Sequence, residues 1–101
     1  MSTLTQWELV AETKEWVGPI TVTVNGSAVT NFTVSVVEGT GRPITFSAPD
    51  TDPDPPGTAK GVIVGVGSSW PITVGKTYTI FAKYSDSPEI PVIRVGRIKV
   101  T

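Results

Sequence analysis

Alternating carboxylates in a proline-rich segment form the pattern in this sequence that is closest to a chemical motif. Asp50, Asp52 and Asp54 alternate within P-D-T-D-P-D-P-P-G. Calcium loops begin in this way, because Ca²⁺ takes several oxygen ligands at about 2.3–2.6 Å from a backbone that can curl. Such loops continue with Gly at the sixth position and a bidentate Glu at the twelfth, whereas this chain has Pro55 and Gly61 there. The segment therefore predicts an exposed acidic loop, with no metal and no other cofactor.

Catalytic groups are scarce in this chain. The sequence contains no His and no Cys, which excludes the usual nucleophilic triads and most general-base schemes. A pair of carboxylates can hydrolyse a glycosidic bond. The acidic residues, however, are predicted to lie in the proline-rich loop and on polar strand faces, and not in a cleft that would raise the pKa of one of them. We therefore predict that the protein is not an enzyme.

Three aromatic side chains are the candidates for a binding surface. Trp7, Trp16 and Phe81 are predicted to contact other protein chains, since large apolar rings are enriched at interfaces. Trp16 stands at a strand boundary in E-W-V-G-P, and Phe81 is predicted to lie on the outward face of its strand. An outward Phe indicates that something covers this face, such as another subunit. Core packing is one alternative for the tryptophans. Another is a platform of Trp7, Trp16 and Trp70 on which sugar rings stack.

Charge and composition exclude several classes of partner. The net charge is −1 and 17% of residues are charged. The chain therefore lacks the excess of positive charge that would predict binding to nucleic acid or to an anionic membrane. The cations Arg94, Arg97 and Lys99 lie close together, which we interpret as a solvated edge. The N-terminal sequence lacks the basic and apolar regions of a secretory signal, and the apolar runs are too short to span a bilayer. The absence of Cys favours a reducing cytoplasm or an assembly in which neighbours stabilise the chain.

One strand organises the rest of the predicted fold. In V-G-K-T-Y-T-I-F-A-K-Y, Tyr78, Ile80 and Ala82 alternate with polar residues and Phe81, which predicts a strand with one face in the core. The G-x-x-Y entry matches the tyrosine corner of immunoglobulin-like sandwiches, in which the phenol anchors a turn and the residue two positions later enters the core. This strand therefore predicts both a fold class and a register.

The remaining elements are short strands separated by turn residues. Asn25-Gly26 predicts a tight hairpin, Pro43 an edge strand over 43–48, and Gly96 a bulge in the last strand. Asp86 and Glu89 are predicted to be exposed at the tip of the last hairpin, in S-D-S-P-E-I-P. Other strands are predicted over 6–11, 20–24, 29–38, 60–66 and 92–101, whereas 12–15 is predicted to be a turn. About seven or eight short antiparallel strands at this spacing predict a single all-β domain over residues 1–101, an immunoglobulin-like Greek-key sandwich.

The C-terminal quarter resembles a known group of proteins. Its sequence, G-K-T-Y-T-I-F-A-K-Y-S-D-S-P-E-I-P-V-I-R-V-G-R-I-K-V-T, is similar to the C-terminal halves of small immunoglobulin-like virion proteins of tailed phages of actinobacteria. There, G-x-Y-x-V-x-A-x-x-x-D-S-P-E-x-P-V leads into a short final strand. The resemblance implies a non-enzymatic structural protein, present in many copies on the virion after synthesis in the host cytoplasm.

The function expected from these features is a capsid decoration or a subunit on the surface of the head or tail. The partners would be phage coat or tail subunits, with a host-surface glycan as a further candidate. The alternative is an immunoglobulin-like module that binds carbohydrate or a cell surface through the same tryptophans. A module cut from a larger adhesin is a third hypothesis, against which the natural-looking termini argue.

Overall fold

The described part of the protein is built from strands alone. The structure is a computed structural model that describes residues 5–10, 12–39, 41–53 and 56–101. Within these residues there are nine strands and no helix. The strands are β1 (Thr5–Leu9), β2 (Lys14–Val17), β3 (Thr23–Val24), β4 (Ser27–Ala28), β5 (Phe32–Glu38), β6 (Asp50–Pro53), β7 (Pro56–Gly65), β8 (Thr77–Tyr84) and β9 (Val92–Val100).

Two sheets and a small hairpin contain these strands. One sheet has the order β1-β9-β8-β5, the other has the order β2-β7-β6, and β3 pairs with β4. β1 runs parallel to β9, whereas the other paired strands are antiparallel. The described residues thus differ from the predicted seven or eight antiparallel strands in strand count and in this parallel pair. Apolar side chains from both sheets form one core. Its members are Leu9, Val17, Ile20, Val22, Phe32, Val34, Val62, Val64, Tyr78, Ile80, Ala82, Ile98 and Val100.

β8 has the predicted alternation on its inner face. Ile80 and Ala82 have no exposed surface, and Tyr78 is 6% exposed. The Tyr78 hydroxyl accepts a hydrogen bond of 2.9 Å from the backbone N–H of Thr73. The phenol therefore anchors the turn before β8, and the strand predicted from the sequence is confirmed.

The predicted hairpin at Asn25-Gly26 is confirmed, although its second strand is short. Asn25 and Gly26 have φ values of 51° and 80°, the left-handed conformation that a two-residue type I′ turn requires. The hairpin strand ends at Ala28, and β5 pairs with β8 in the larger sheet. The continuous strand predicted over 29–38 is therefore replaced by a short hairpin strand and β5.

The prediction of an exposed loop over 49–57 was wrong for its first part. Asp50 and Asp52 lie in β6, where both are half-buried, and β6 forms a hairpin with β7 in which Pro53 pairs with Pro56. β6 is an edge strand of its sheet, and an edge strand tolerates proline because one side needs no ladder hydrogen bonds. Asp54 lies outside the described residues.

Three further boundaries differ from the predictions. The predicted turn over 12–15 ends in β2, which begins at Lys14. The strand predicted over 43–48 is reduced to a single bridge between Ser47 and Val34. Val66, predicted to face inward, is 61% exposed, since Gly65 has a φ of 112° and breaks the alternation before it.

The predicted bulge in the last strand is present. Ile80 pairs with Gly96, whereas the next residue, Phe81, pairs with Arg94. Val95 is thus the extra residue, and its insertion reverses the alternation between Arg94 and the residues that follow Gly96. As a result Ile98 and Val100 enter the core, while Arg94 and Arg97 lie on the same outer face.

Candidate functional site

Trp16 lies on the outer face of the β2-β7-β6 sheet. It pairs with Ile63 on β7, and the neighbouring pair, Val17 and Val62, is buried in the core. Because side chains alternate along a strand, Trp16 and Ile63 share the face that points away from the core. Trp16 is half-buried, so its indole is part of the molecular surface. We define the Trp16 surface as Trp16, Ile63 and Asp50.

The indole is fixed against the sheet by two glycines. A Cβ atom at Gly18 would lie 2.8 Å from Cη2 of Trp16, and one at Gly61 would lie 2.6 Å from Cε2. A Cβ at Gly61 would also overlap the carbonyl oxygen of Val17. Both distances are shorter than an ordinary carbon–carbon contact of about 3.5–4.0 Å. Glycine at both positions is therefore what allows the ring to approach the backbone so closely.

Asp50 holds the same ring from the edge strand. Its carbonyl oxygen accepts a hydrogen bond of 3.2 Å from Nε1 of Trp16. Its side-chain Oδ2 accepts one of 3.1 Å from the backbone N–H of Ile63. The indole N–H is thus satisfied within the chain, and the ring is oriented before any partner binds. A preorganised aromatic side chain loses little conformational entropy on binding.

A shallow polar depression adjoins the Trp16 surface. Its volume is about 260 Å³. It shares Asp50 and Ile63 with the Trp16 surface. It is also lined by Lys14, Ser47, Ala48, Gly67, Ser68, Ser69 and Trp70. Hydroxyls, an ammonium group and a carboxylate, with the Trp70 indole in the same lining, can hold a polar ligand such as a sugar.

Trp7 occupies a different part of the molecule. It lies on β1 opposite Ile98, is half-buried, and packs against the core. A Cβ at Gly96 would overlap its ring, so the bulge glycine makes room for the indole. Trp7 therefore closes an edge of the core, and it does not share a surface with Trp16.

Phe81 lies on the outer face of the four-stranded sheet, as predicted, but the chain itself buries it. It is 6% exposed, and Ser35 opposite it is 2% exposed. Residues 41–47 run beside β5, where the backbones of Ser47 and Val34 exchange hydrogen bonds of 2.9 Å and 2.8 Å. The Thr79 hydroxyl donates to the carbonyl oxygen of Gly39 over 2.6 Å, and the Lys83 Nζ lies 4.4 Å from the centre of the Phe46 ring.

The expectation that another subunit covers Phe81 is therefore not needed to explain its position. The Phe81 side chain has almost no free surface to offer a partner. The structure also places Trp7, Trp16 and Phe81 on different parts of the molecule. Of the three, Trp16 is the one that is both on an outer face and partly exposed.

The predicted acidic residues also lie in two different places and do not form one site. Asp86 and Glu89 are exposed at the tip of the β8–β9 hairpin, as predicted, whereas Asp50 and Asp52 are half-buried in β6. Among the residues that the structure describes, no three His, Cys, Asp or Glu side chains are grouped as metal ligands.

The supports of Trp16 were not found by reasoning from the sequence. The sequence E-W-V-G-P predicts only a strand boundary near Gly18, and Gly61 has no predicted role. The available signal was A-K-G-V-I-V-G, in which Gly61 falls on the face opposite to the inward valines and leaves that position of β7 without a side chain. Asp50 was predicted as a loop carboxylate, although here its backbone and side chain are both used to orient the ring.

Comparisons with protein-family models, curated proteins and solved structures found no match to this chain. In the described ranges, no helix is long and apolar enough to cross a membrane.

Proposed function

We propose that this chain is a non-enzymatic structural or accessory protein of a phage virion, either a capsid decoration or a subunit of the head or tail surface. It acts through protein–protein contacts with coat or tail subunits and is present in many copies. The observation that carries this proposal is the Trp16 surface: a half-buried indole, locked on the outer face of a sheet by two glycines and Asp50. The virion assignment itself rests on the resemblance of the C-terminal quarter.

We also infer an immunoglobulin-like Greek-key architecture. Support comes from the pairing of the first strand parallel to the last, from the opposite sheet of β2, β7 and β6, and from the hydrogen bond of the Tyr78 hydroxyl. The same hydrogen bond defines the tyrosine corner of immunoglobulin-like domains. A rigid sandwich of this kind suits a role based on shape and contact.

A partly exposed tryptophan is well suited to such a contact. Tryptophan is enriched among the residues that dominate binding energy, and truncating one at the centre of an interface typically costs 2 kcal/mol or more. This corresponds to a loss of affinity of more than about tenfold. In a multi-copy assembly, modest contacts of this size add up through multivalency.

The test uses phage particles whose genome encodes this chain. The chain is quantified by mass spectrometry in purified particles, both for the natural sequence and for Trp16→Ala. We expect many copies per particle for the natural chain and a loss of about tenfold or more for the variant. Ile44→Ala is the matched control, because Ile44 is 91% exposed and lies outside the Trp16 surface. Absence of the chain from particles, or full retention of Trp16→Ala, would refute the proposal.

A second candidate function is binding of a host-surface glycan at the same face. The polar depression beside Trp16 favours it, since stacking on an indole combined with hydrogen bonds from hydroxyl and charged groups is a common way to hold a sugar. If this function holds, the isolated chain binds a host polysaccharide in calorimetry. Trp16→Ala and Lys14→Ala each weaken that binding, whereas Ile44→Ala does not. Binding that is unchanged by both variants would exclude the depression as the site.

A further inference from the structure

Three cations form a row on the outer face of the four-stranded sheet. Arg94, Arg97 and Lys99 pair with Phe81, Thr79 and Thr77 of β8, which share one face. All three cations are exposed. The bulge at Val95 places Arg94 on the same face as Arg97 and Lys99. Without the bulge, Arg94 and Arg97 would point to opposite faces. We define these three residues as the basic row.

The basic row makes the molecule electrically asymmetric. Lys83 lies on the same face, and the carboxylate paired into it is Glu8, opposite Lys99. These four cations and one carboxylate give the face a formal charge of +3. The other four cations and eight carboxylates of the sequence give −4, which accounts for the net charge of −1. The strand residues of this face are therefore net positive, although the chain as a whole is slightly negative.

The tip of the β8–β9 hairpin provides an acidic counterpart. Asp86 and Glu89 are both exposed, and their backbones are joined by two hydrogen bonds of 2.8 Å and 2.7 Å. Residues directly opposite in an antiparallel pair have Cβ atoms about 4.5–5.5 Å apart, and like charges in this arrangement repel. A cation placed between the two carboxylates removes this repulsion. We define these two residues as the acidic tip.

We propose that copies of this chain associate head to tail, with the acidic tip of one copy against the basic row of the next. A two-fold contact through the basic row would bring like charges together, so the favourable contact joins different surfaces. Where the same neighbour does not return the contact, it builds rings or filaments. This inference goes beyond the proposed function, because it concerns contact between copies and does not require the particle.

Nucleic acid is the less favoured occupant of the basic row. Proteins that bind single strands combine cations with aromatic rings on which bases stack. On this side of the described structure, Phe81 is buried and Phe46 is half-buried beside Lys83. Glu8, paired with Lys99, would also repel a phosphate. The two carboxylates of an acidic tip from a second copy match the three cations of the basic row better than a nucleic-acid strand does.

The test is charge reversal followed by sedimentation equilibrium of the full chain. The row variant is Arg94→Glu, Arg97→Glu and Lys99→Glu, and the tip variant is Asp86→Lys and Glu89→Lys. We expect the natural chain to self-associate at about 0.01 M salt, where the screening length is roughly 30 Å. Association becomes weaker by about tenfold or more at about 1 M salt, where the screening length is roughly 3 Å.

Each variant alone is expected to remain monomeric, and an equimolar mixture of the two to associate. The natural row of the tip variant then meets the natural tip of the row variant, and the two reversed surfaces are complementary as well. Lys14→Glu is the charge control, because Lys14 is exposed on the other sheet, and it should associate like the natural chain. Circular dichroism verifies that each variant is folded.

Several results would overturn the inference. A natural chain that stays monomeric at low salt contradicts it, as does a folded row variant that associates like the natural chain. A mixture of the two variants that remains monomeric also contradicts it. Binding of a single-stranded oligonucleotide that is lost only in the row variant, without self-association, would assign the basic row to nucleic acid instead. None of these results depends on Trp16, so this inference and the virion proposal can fail separately.

Discussion

Replacing Gly18 by Ala tests how Trp16 is held on the outer face. The added Cβ would lie 2.8 Å from Cη2 and 2.9 Å from Cζ2 of the indole, roughly 0.6–1.2 Å closer than ordinary carbon contacts. The indole must therefore move, and overpacking of this kind costs about 1–3 kcal/mol of unfolding free energy. When Trp16 is Ala, the nearest remaining neighbour is the Gly61 Cα at 3.2 Å. A few tenths of an ångström of adjustment then suffices.

The assay is a double-mutant cycle measured by urea unfolding and circular dichroism. Gly18→Ala should cost about 1–3 kcal/mol in the natural chain and much less in the Trp16→Ala background. In thermal unfolding, each kcal/mol corresponds to roughly 4–8 °C for a domain of this size. Gly41→Ala is the matched glycine control. Its Cβ would meet the flexible end of Val37 at 3.2 Å, and it should change stability by less than about 0.5 kcal/mol.

One outcome would refute the reasoning. If Gly18→Ala costs the same in both backgrounds, to within about 0.3–0.5 kcal/mol, the two sites are independent. Trp16 would then not rest on Gly18, and its ring would lack the preorganisation on which the proposed function depends.

Three further substitutions probe the elements that support this surface and the core. Tyr78→Phe removes the acceptor of an upstream backbone N–H and should cost about 1–3 kcal/mol in urea unfolding; Tyr84→Phe is its control, and equal losses would contradict the anchoring role. Asp50→Ala should lower the thermal midpoint more than Asp50→Asn, which keeps a side-chain oxygen for the backbone N–H it now accepts; equal midpoints would argue against that bond. Ile80→Ala should cost about 2–5 kcal/mol, since this side chain has no exposed surface, and a loss below about 1 kcal/mol would place it outside the core.

Local patterns made much of the fold predictable. The period of two in β8, the Asn25-Gly26 turn and the bulge at Val95, next to Gly96, each depend on residues close in sequence. A local pattern fixes which side chains share a face, so the inward positions of Ile80 and Ile98 followed from it. The same holds for the exposed tip at Asp86 and Glu89.

Long-range contacts account for the features that were missed. β6 was predicted as a loop because its prolines and aspartates disfavour a central strand, and an edge position depends on a partner distant in sequence. Phe81 lies on the outer face, as the alternation predicts, but its 6% exposure depends on residues distant in sequence, and no periodicity predicts such burial. The close packing of the Trp16 ring likewise needs Gly18, which follows β2, and Gly61 of β7 to lie against the same ring.

The central claim is that the Trp16 surface contacts another protein in an assembled particle, and oxidative footprinting tests it most directly. Hydroxyl radicals are applied to the isolated chain and to purified particles, and oxidation of each tryptophan is measured by mass spectrometry. We predict that Trp16 is oxidised in the isolated chain and protected in the particle. Equal oxidation of Trp16 in both states, or particles that do not contain the chain, would contradict the claim.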